Sequence, residues 1–156
     1  MLLDPTDYRL STQLVHLSNI RLHLNAWHTS RRYQNRRKTT CVFCQKEGTE
    51  DSIEHIFFCE RVQGILPCQL KTGAPARVPV STWMLLHVEK PEKLLMSLYV
   101  RAIHSIHNAY RHNHEYNMDS HALDHGEFKH AVHHIILDTP LRPQLSKYVT
   151  HVLKRT

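Results

Sequence analysis

CVFCQKEGTEDSIEHIFFC, residues 41–59, is the stretch from which the rest of the chain is read. It spells C-x2-C followed by H-x3-C: Cys41 and Cys44, then His55 and Cys59. Two cysteines with two residues between them can place both sulfurs on one side of a tight knuckle. A histidine and a cysteine at i and i+4 share one face of a helix, one turn apart. Three thiolates and one imidazole suit tetrahedral zinc, and four protein ligands leave no open position for a substrate or water. The expected role is therefore structural, and the chain is not read as an enzyme. The competing reading is ordinary buried cysteines beside a chance histidine. Against it, three of the chain's four cysteines fall in this one stretch in ligand register.

The neighbouring residues agree with that geometry. Gly48 and Thr49 form a polar connection between the ligand pairs. Asp51 or Ser52 can cap a helix with Glu54 in its first turn, where a carboxylate meets the positive end of the dipole. That helix is expected to carry His55, Ile56, Phe57, Phe58, Cys59 and Val62 and to end at Gly64. Phe57 and Phe58 read as the small core around the metal rather than as a base-stacking platform. Cys68, after Pro67, reads as a spare thiol. Four cysteines in 156 residues with no signal-like start argue for a reducing compartment over a disulfide framework.

At 156 residues and 41% hydrophobic content the chain can bury one real core. Only four glycines and many periodic apolar stretches favour helices. The expected fold class is mainly α, with a small CCHC zinc knuckle embedded in an irregular helical domain. The formal charge of +6 points to a polyanionic partner. No apolar run approaches the roughly 18 residues of a membrane span. The fifteen histidines are scattered, and His130, His133 and His134 read as a solvated helix face rather than a second metal site.

Along the chain, residues 1–10 read as a lead-in. Residues 11–66 hold an amphipathic helix, a basic linker and the knuckle; 67–80 form a connector; 81–156 form a helical C-terminal region. The first helix is expected to run to about His28, its apolar face made by Leu14, Leu17, Ile20 or Arg21, Leu24 and Trp27. Three prolines and one glycine make residues 65–80 irregular. Ser81 is expected to cap a short helix carrying Trp83, Leu85 and Leu86. Pro91 opens the best helix, with an apolar face of Leu94, Leu95, Leu98, Ala102, Ile106, Ala109 and Tyr110. Arg101, His104, His107 and Arg111 are expected around that face. Residues 127–137 and 143–154 read as two weaker helices.

Directly before the first cysteine lies SRRYQNRRKTT, residues 30–40. Arg31, Arg32, Arg36, Arg37 and Lys38 repel one another unless solvated or met by an anion, and phosphate is an obvious source of that anion. Such contacts hold and orient nucleic acid without reading sequence. Tyr33 could stack on an unpaired base. The bland readings are a solvated loop or a nuclear-import signal. Together these features place the expected location inside the cell, in the nucleus rather than the cytoplasm.

The order amphipathic helix, basic linker, CxxC, acidic loop, EHIFFC, then a long helix ending in AYRHN resembles the C-terminal region of LINE-type (non-LTR) retrotransposon reverse transcriptases. The likeness covers roughly residues 12–113 and is most specific at the knuckle. It implies that Cys41, Cys44, His55 and Cys59 ligate zinc, and that the chain resembles a nucleic-acid-contacting tail. It does not imply polymerase activity: a tyrosine followed by paired aspartates is missing, and 156 residues hold no fingers or palm. A restriction-like nuclease site at Asp124 and Glu127-Phe128-Lys129 fits poorly, because three residues cannot make the usual hairpin. Two functions stay open. One is a zinc-knuckle module that holds DNA or RNA backbone, alone or within a larger nucleoprotein complex. The other is a zinc-stabilised helical protein-interaction subunit with no nucleic-acid contact.

Overall fold

The computed structural model describes residues 13–27, 29, 40–85, 90–114 and 124–155. The basic run Arg31, Arg32, Tyr33, Arg36, Arg37 and Lys38 lies outside the described residues, as does Leu86. Among the described residues seven α-helices follow in order: α1 Gln13–His23, α2 Ile53–Phe58, α3 Glu60–Ile65, α4 Val80–Trp83, α5 Lys90–His114, α6 His125–Leu137 and α7 Pro143–Leu153. A 3-10 turn spans Cys68–Leu70. The described residues are mainly helical and contain no strand; the one bridge, Thr72 to Arg77, closes a turn in the connector.

Helix α5 is the centre. Pro91 sits in its first turn, where its missing N–H costs nothing, and Glu92 meets the dipole there. Its 25 residues make a rod of about 38 Å. Helices α1 and α6 pack along it, α4 touches it, and α7 packs on α6. The expected face of α5 is too narrow. Every residue from Leu94 to Val100 is buried, with Ala102, Ile103, His104, Ile106 and His107 beyond, while Ala109 is exposed. A helix with neighbours on several sides buries more than one stripe. His104 and His107, expected on the polar flank, lie inside.

Three further expectations are corrected. The apolar face of α1 is rotated: Val15, His16, Ser18, Asn19 and Leu22 are buried, whereas Leu17 and Leu24 are 47% and 70% exposed. The spacing 15, 18, 19, 22 is as helical as 14, 17, 21, 24. The helix stops at His23, and Asn25 adopts a left-handed φ of 49°, carrying the chain to Trp27, which is fully buried. Ser81 does not cap α4: Pro79 occupies the N-cap, and Ser81 is exposed within the helix. The ligand helix is not one helix ended by Gly64 but two, α2 and α3, divided at Cys59. Gly64 lies inside α3, where a Cβ would come within 2.9 Å of the His125 ring. Pro67 forces Leu66 into the extended region and so ends α3.

Helices α6 and α7 match the sequence expectation. The start of α6 is a capping box: the Asp124 carboxylate accepts from the Glu127 backbone N–H at 2.9 Å, and the Glu127 carboxylate accepts from the Asp124 N–H at 3.1 Å. Phe128, Val132 and Ile136 form the face turned to the core.

Candidate metal centre

Cys41 to Cys44 form a tight turn in which Gln45 N–H bonds to the Cys41 carbonyl at 2.9 Å and Gln45 takes a φ of 49°. The backbone N–H groups of Cys44 and Phe43 point at the Cys41 sulfur. Thr49 closes the loop, donating its hydroxyl to the Lys46 carbonyl at 2.6 Å, and Gly48 supplies a φ of 77° that few other residues adopt without strain. Lys46 and Glu60 pair across the outside of the loop. The chain then enters α2 through Ser52, whose hydroxyl accepts from His55 N–H at 3.1 Å. Of the two sequence candidates for the cap, Ser52 is the one used.

The break at Cys59 serves the site. Cys59 has a ψ of 121°, ends α2 and stands at the N-cap of α3. The Val62 and Arg61 backbone N–H groups at the start of α3 help hold the Cys59 thiol down, although its side chain makes no capping hydrogen bond to that helix.

The four ligand atoms lie within 4.8 Å of one another. Cys41 Sγ and Cys59 Sγ are 4.0 Å apart, and Cys44 Sγ is 3.3 Å from His55 Nε2. A regular tetrahedron with 2.3 Å sulfur and 2.0–2.1 Å nitrogen bonds puts two sulfurs about 3.8 Å apart and a sulfur and nitrogen about 3.6 Å apart. The cluster thus has the size of a tetrahedral centre and can hold one metal ion. Cys41 and Cys59 are buried, while Cys44 and His55 are half-buried.

The electrostatics agree. A hydrogen bond from Cys41 pushes the Cys59 thiol down to about 5; burial opposes this, and the Val62 and Arg61 N–H groups and His55 reinforce it. The same hydrogen bond, with burial and the charge on Cys59, raises Cys41. A divalent cation at the centre of the four donors would replace the proton that the two sulfurs would otherwise share.

Phe57 is buried and packs against Trp83, with ring centroids 5.3 Å apart. Phe58, expected beside it in the core, is 52% exposed, since adjacent helical residues point about 100° apart. Cys68 is exposed and lies apart from the cluster, with its thiol near Gln69 Oε1 at 3.7 Å. Among the described residues no second group of three or more His, Cys, Asp or Glu could hold a metal. His130 and His134 are exposed on α6, and His134 Nδ1 pairs with Asp138 at 3.0 Å.

Two features escape a reading of the sequence alone. Gln63 is buried in α3 and braces the knuckle to the connector: its amide bonds the Phe57 and Val78 carbonyls, and its oxygen accepts from Val78 N–H at 2.8 Å. Asp51, fully buried, accepts from His107 Nε2 at 2.9 Å and Arg111 Nε at 3.2 Å. The spacing of His104, His107 and Arg111 at three and four did mark one stripe of α5, but nothing local pointed to its acidic partner 56 residues away.

No helix among the described residues is long and apolar enough to cross a membrane. Comparison with protein-family models, with curated proteins and with solved structures finds no match to this chain.

Proposed function

We propose that Cys41, Cys44, His55 and Cys59 hold one structural zinc ion in an embedded CCHC knuckle, and that the protein is a nucleic-acid-binding module similar to a retroelement tail. Zinc is preferred because three thiolates and an imidazole form a soft donor set, unlike the oxygen cages of magnesium or calcium. The observation that carries the reading is the convergence of these four ligand atoms within 4.8 Å, directly after five cations in eight residues. In this reading zinc fixes the adjoining helices, while Arg31, Arg32, Arg36, Arg37 and Lys38 grip DNA or RNA backbone and Tyr33 lies among them. With no coordination position left open, the metal holds structure and performs no reaction.

The test is retention on oligonucleotide beads as salt is raised, comparing the native chain with an Arg31/Arg32/Arg36/Arg37→Ala variant. Four phosphate contacts give a slope of log affinity on log salt of about −3 to −4, and the variant should lose most of it. Equal retention of the two proteins overturns the nucleic-acid reading. The second reading, a zinc-stabilised protein-interaction subunit of a larger complex, draws support from apolar side chains left in solvent. Leu17 lies on α1, Leu24 just after it, Phe58 beside the knuckle and Leu137 at the end of α6. Equal retention would favour it.

A further inference from the structure

A carboxylate with no exposed surface is costly unless its charge is met. Asp51 is such a group: its two oxygens accept from His107 Nε2 at 2.9 Å and Arg111 Nε at 3.2 Å. His107 is itself fully buried and Arg111 nearly so, with 12% of its side chain exposed. The position of Asp51 is as informative as its burial. It precedes Ser52, the cap of α2, and stands four residues before the ligand His55.

The His107 ring touches two other key points. Trp27 lies 5.9 Å away and Phe43 6.0 Å away between ring centroids. Phe43 sits between the ligands Cys41 and Cys44, and Trp27 is the buried residue just after α1. One imidazole therefore contacts the CxxC turn, the loop that launches the ligand helix, and the end of the α1 segment. Trp27 also lies against the His104 ring, 4.8 Å away between centroids.

We propose that Asp51, His107 and Arg111 form a buried coupling cluster that ties the state of the metal centre to the α1–α5 pair, with Trp27 as the first residue to feel it. This rests on the metal reading above and adds its linkage to the rest of the fold. Metal binding fixes the CxxC turn and the start of α2. These hold Phe43 and Asp51 against His107, and His107 holds Trp27. By reciprocity, a cluster that stabilises the loaded arrangement raises metal affinity by the same factor. Asp51, His107 and Arg111 are positioning residues, since none of them is a ligand.

The test uses the full chain carrying Trp83→Phe, which leaves Trp27 as its one tryptophan. This parent is compared with a variant that also carries Asp51→Asn and Arg111→Met. Removing both charges together avoids leaving either one orphaned. His107→Gln is the milder second variant: it keeps an amide donor for Asp51 but deletes the ring between Trp27 and Phe43. Cobalt(II) is the probe, because its absorption reports tetrahedral thiolate ligation independently of Trp27. In the parent, chelation should shift Trp27 emission to the red and cobalt should reverse it. In the variants one cobalt should bind per chain with the same spectrum, about 5–150-fold more weakly, a typical span for coupled sites. Trp27 emission should no longer follow the metal.

Cobalt affinity within twofold of the parent, with an unchanged Trp27 response, overturns the coupling while leaving the metal centre intact. Loss of helicity in both variants at saturating cobalt also overturns it, since the cluster would then be needed for the fold itself. A parent chain that takes up no stoichiometric cobalt overturns the metal reading and the coupling together.

Discussion

Removing the metal should unfold residues 41–64 and leave α7 folded. Structural zinc contributes about 10–16 kcal/mol to small knuckles at neutral pH, and a whole domain is stable by only about 5–15 kcal/mol. The knuckle has little to set against that loss. Its helices α2 and α3 are six residues each, well below the length at which a helix survives alone in water. Its turn is held by single hydrogen bonds of about 1 kcal/mol apiece, from Gln45 to Cys41 and from Thr49 to Lys46. By contrast α7 packs on α6, so its protection should outlast chelation. Hydrogen exchange read by mass spectrometry, before and after a strong chelator, measures this directly. Peptides within 41–64 should lose protection and regain it on adding zinc, while peptides within Pro143–Leu153 should not change. Unaltered protection across 41–64 in material shown by elemental analysis to be metal-free would refute the reasoning, because packing alone would then hold the cluster together.

The remaining predictions concern single side chains. Ser52→Ala removes the hydroxyl that accepts from His55 N–H and should cost about 1 kcal/mol by thermal melting, with weaker metal retention because the lost cap orients a ligand. Leu22→Ala should cost about 2–5 kcal/mol and Leu24→Gln less than about 0.5 kcal/mol in the same assay, since the first is buried and the second is in solvent; the reverse ranking would restore the other face of α1. His104 is pushed down to about 4 by burial, with Arg21 and His107 adding to the effect, and Asn108 Nδ2 donates to its Nε2 at 3.1 Å. It is therefore neutral in the folded chain while the unfolded chain takes up a proton below about 6.5. Stability attributable to this residue is complete above pH 6.5 and falls by up to about 3 kcal/mol as pH drops to 4. An NMR titration of its ring should show a midpoint near 4, and His104→Gln should remove that part of the acid sensitivity.

What could be read from the chain beforehand follows the range of the forces involved. The ligand set is local: four donors in nineteen residues, fixed by the pitch of one turn and one helix, so spacing alone locates it. Helices α5, α6 and α7 were legible because Pro91 and Pro143 mark starts and apolar residues recur at three and four. The division of α2 from α3 was not, because Cys59 carries no breaker signal. Its ψ of 121° reflects no propensity of cysteine to break a helix. The face of α1 was misread for a different cause. Leu14, Leu17 and Leu24 outweigh Ser18 and Asn19 on any hydropathy count, yet Ser18 and Asn19 are buried while Leu17 and Leu24 are not.

The same contrast explains why a charged cluster sits beside a group of four metal-ligating side chains. A buried ion pair adds little net stability over well-packed apolar side chains, but breaking it by removing one partner costs about 3–5 kcal/mol. Apolar contacts such as Phe43 on Phe128, at 5.0 Å, tolerate sliding by a residue or a rotamer at modest cost. The pairing of Asp51 with His107 and Arg111 does not, because any other register leaves a buried carboxylate unmet. A bound metal would fix the knuckle internally but say nothing about where it docks on α5. Asp51 supplies that second constraint. Asp51→Leu should therefore still allow one metal per chain, yet lose the defined placement of Trp27 against His107. The measurement is the dispersion of the Trp27 indole resonance with metal bound: one sharp signal in the native chain, and several or a broadened one in the variant. A single sharp indole signal at the native position in Asp51→Leu would mean that apolar packing alone sets the register.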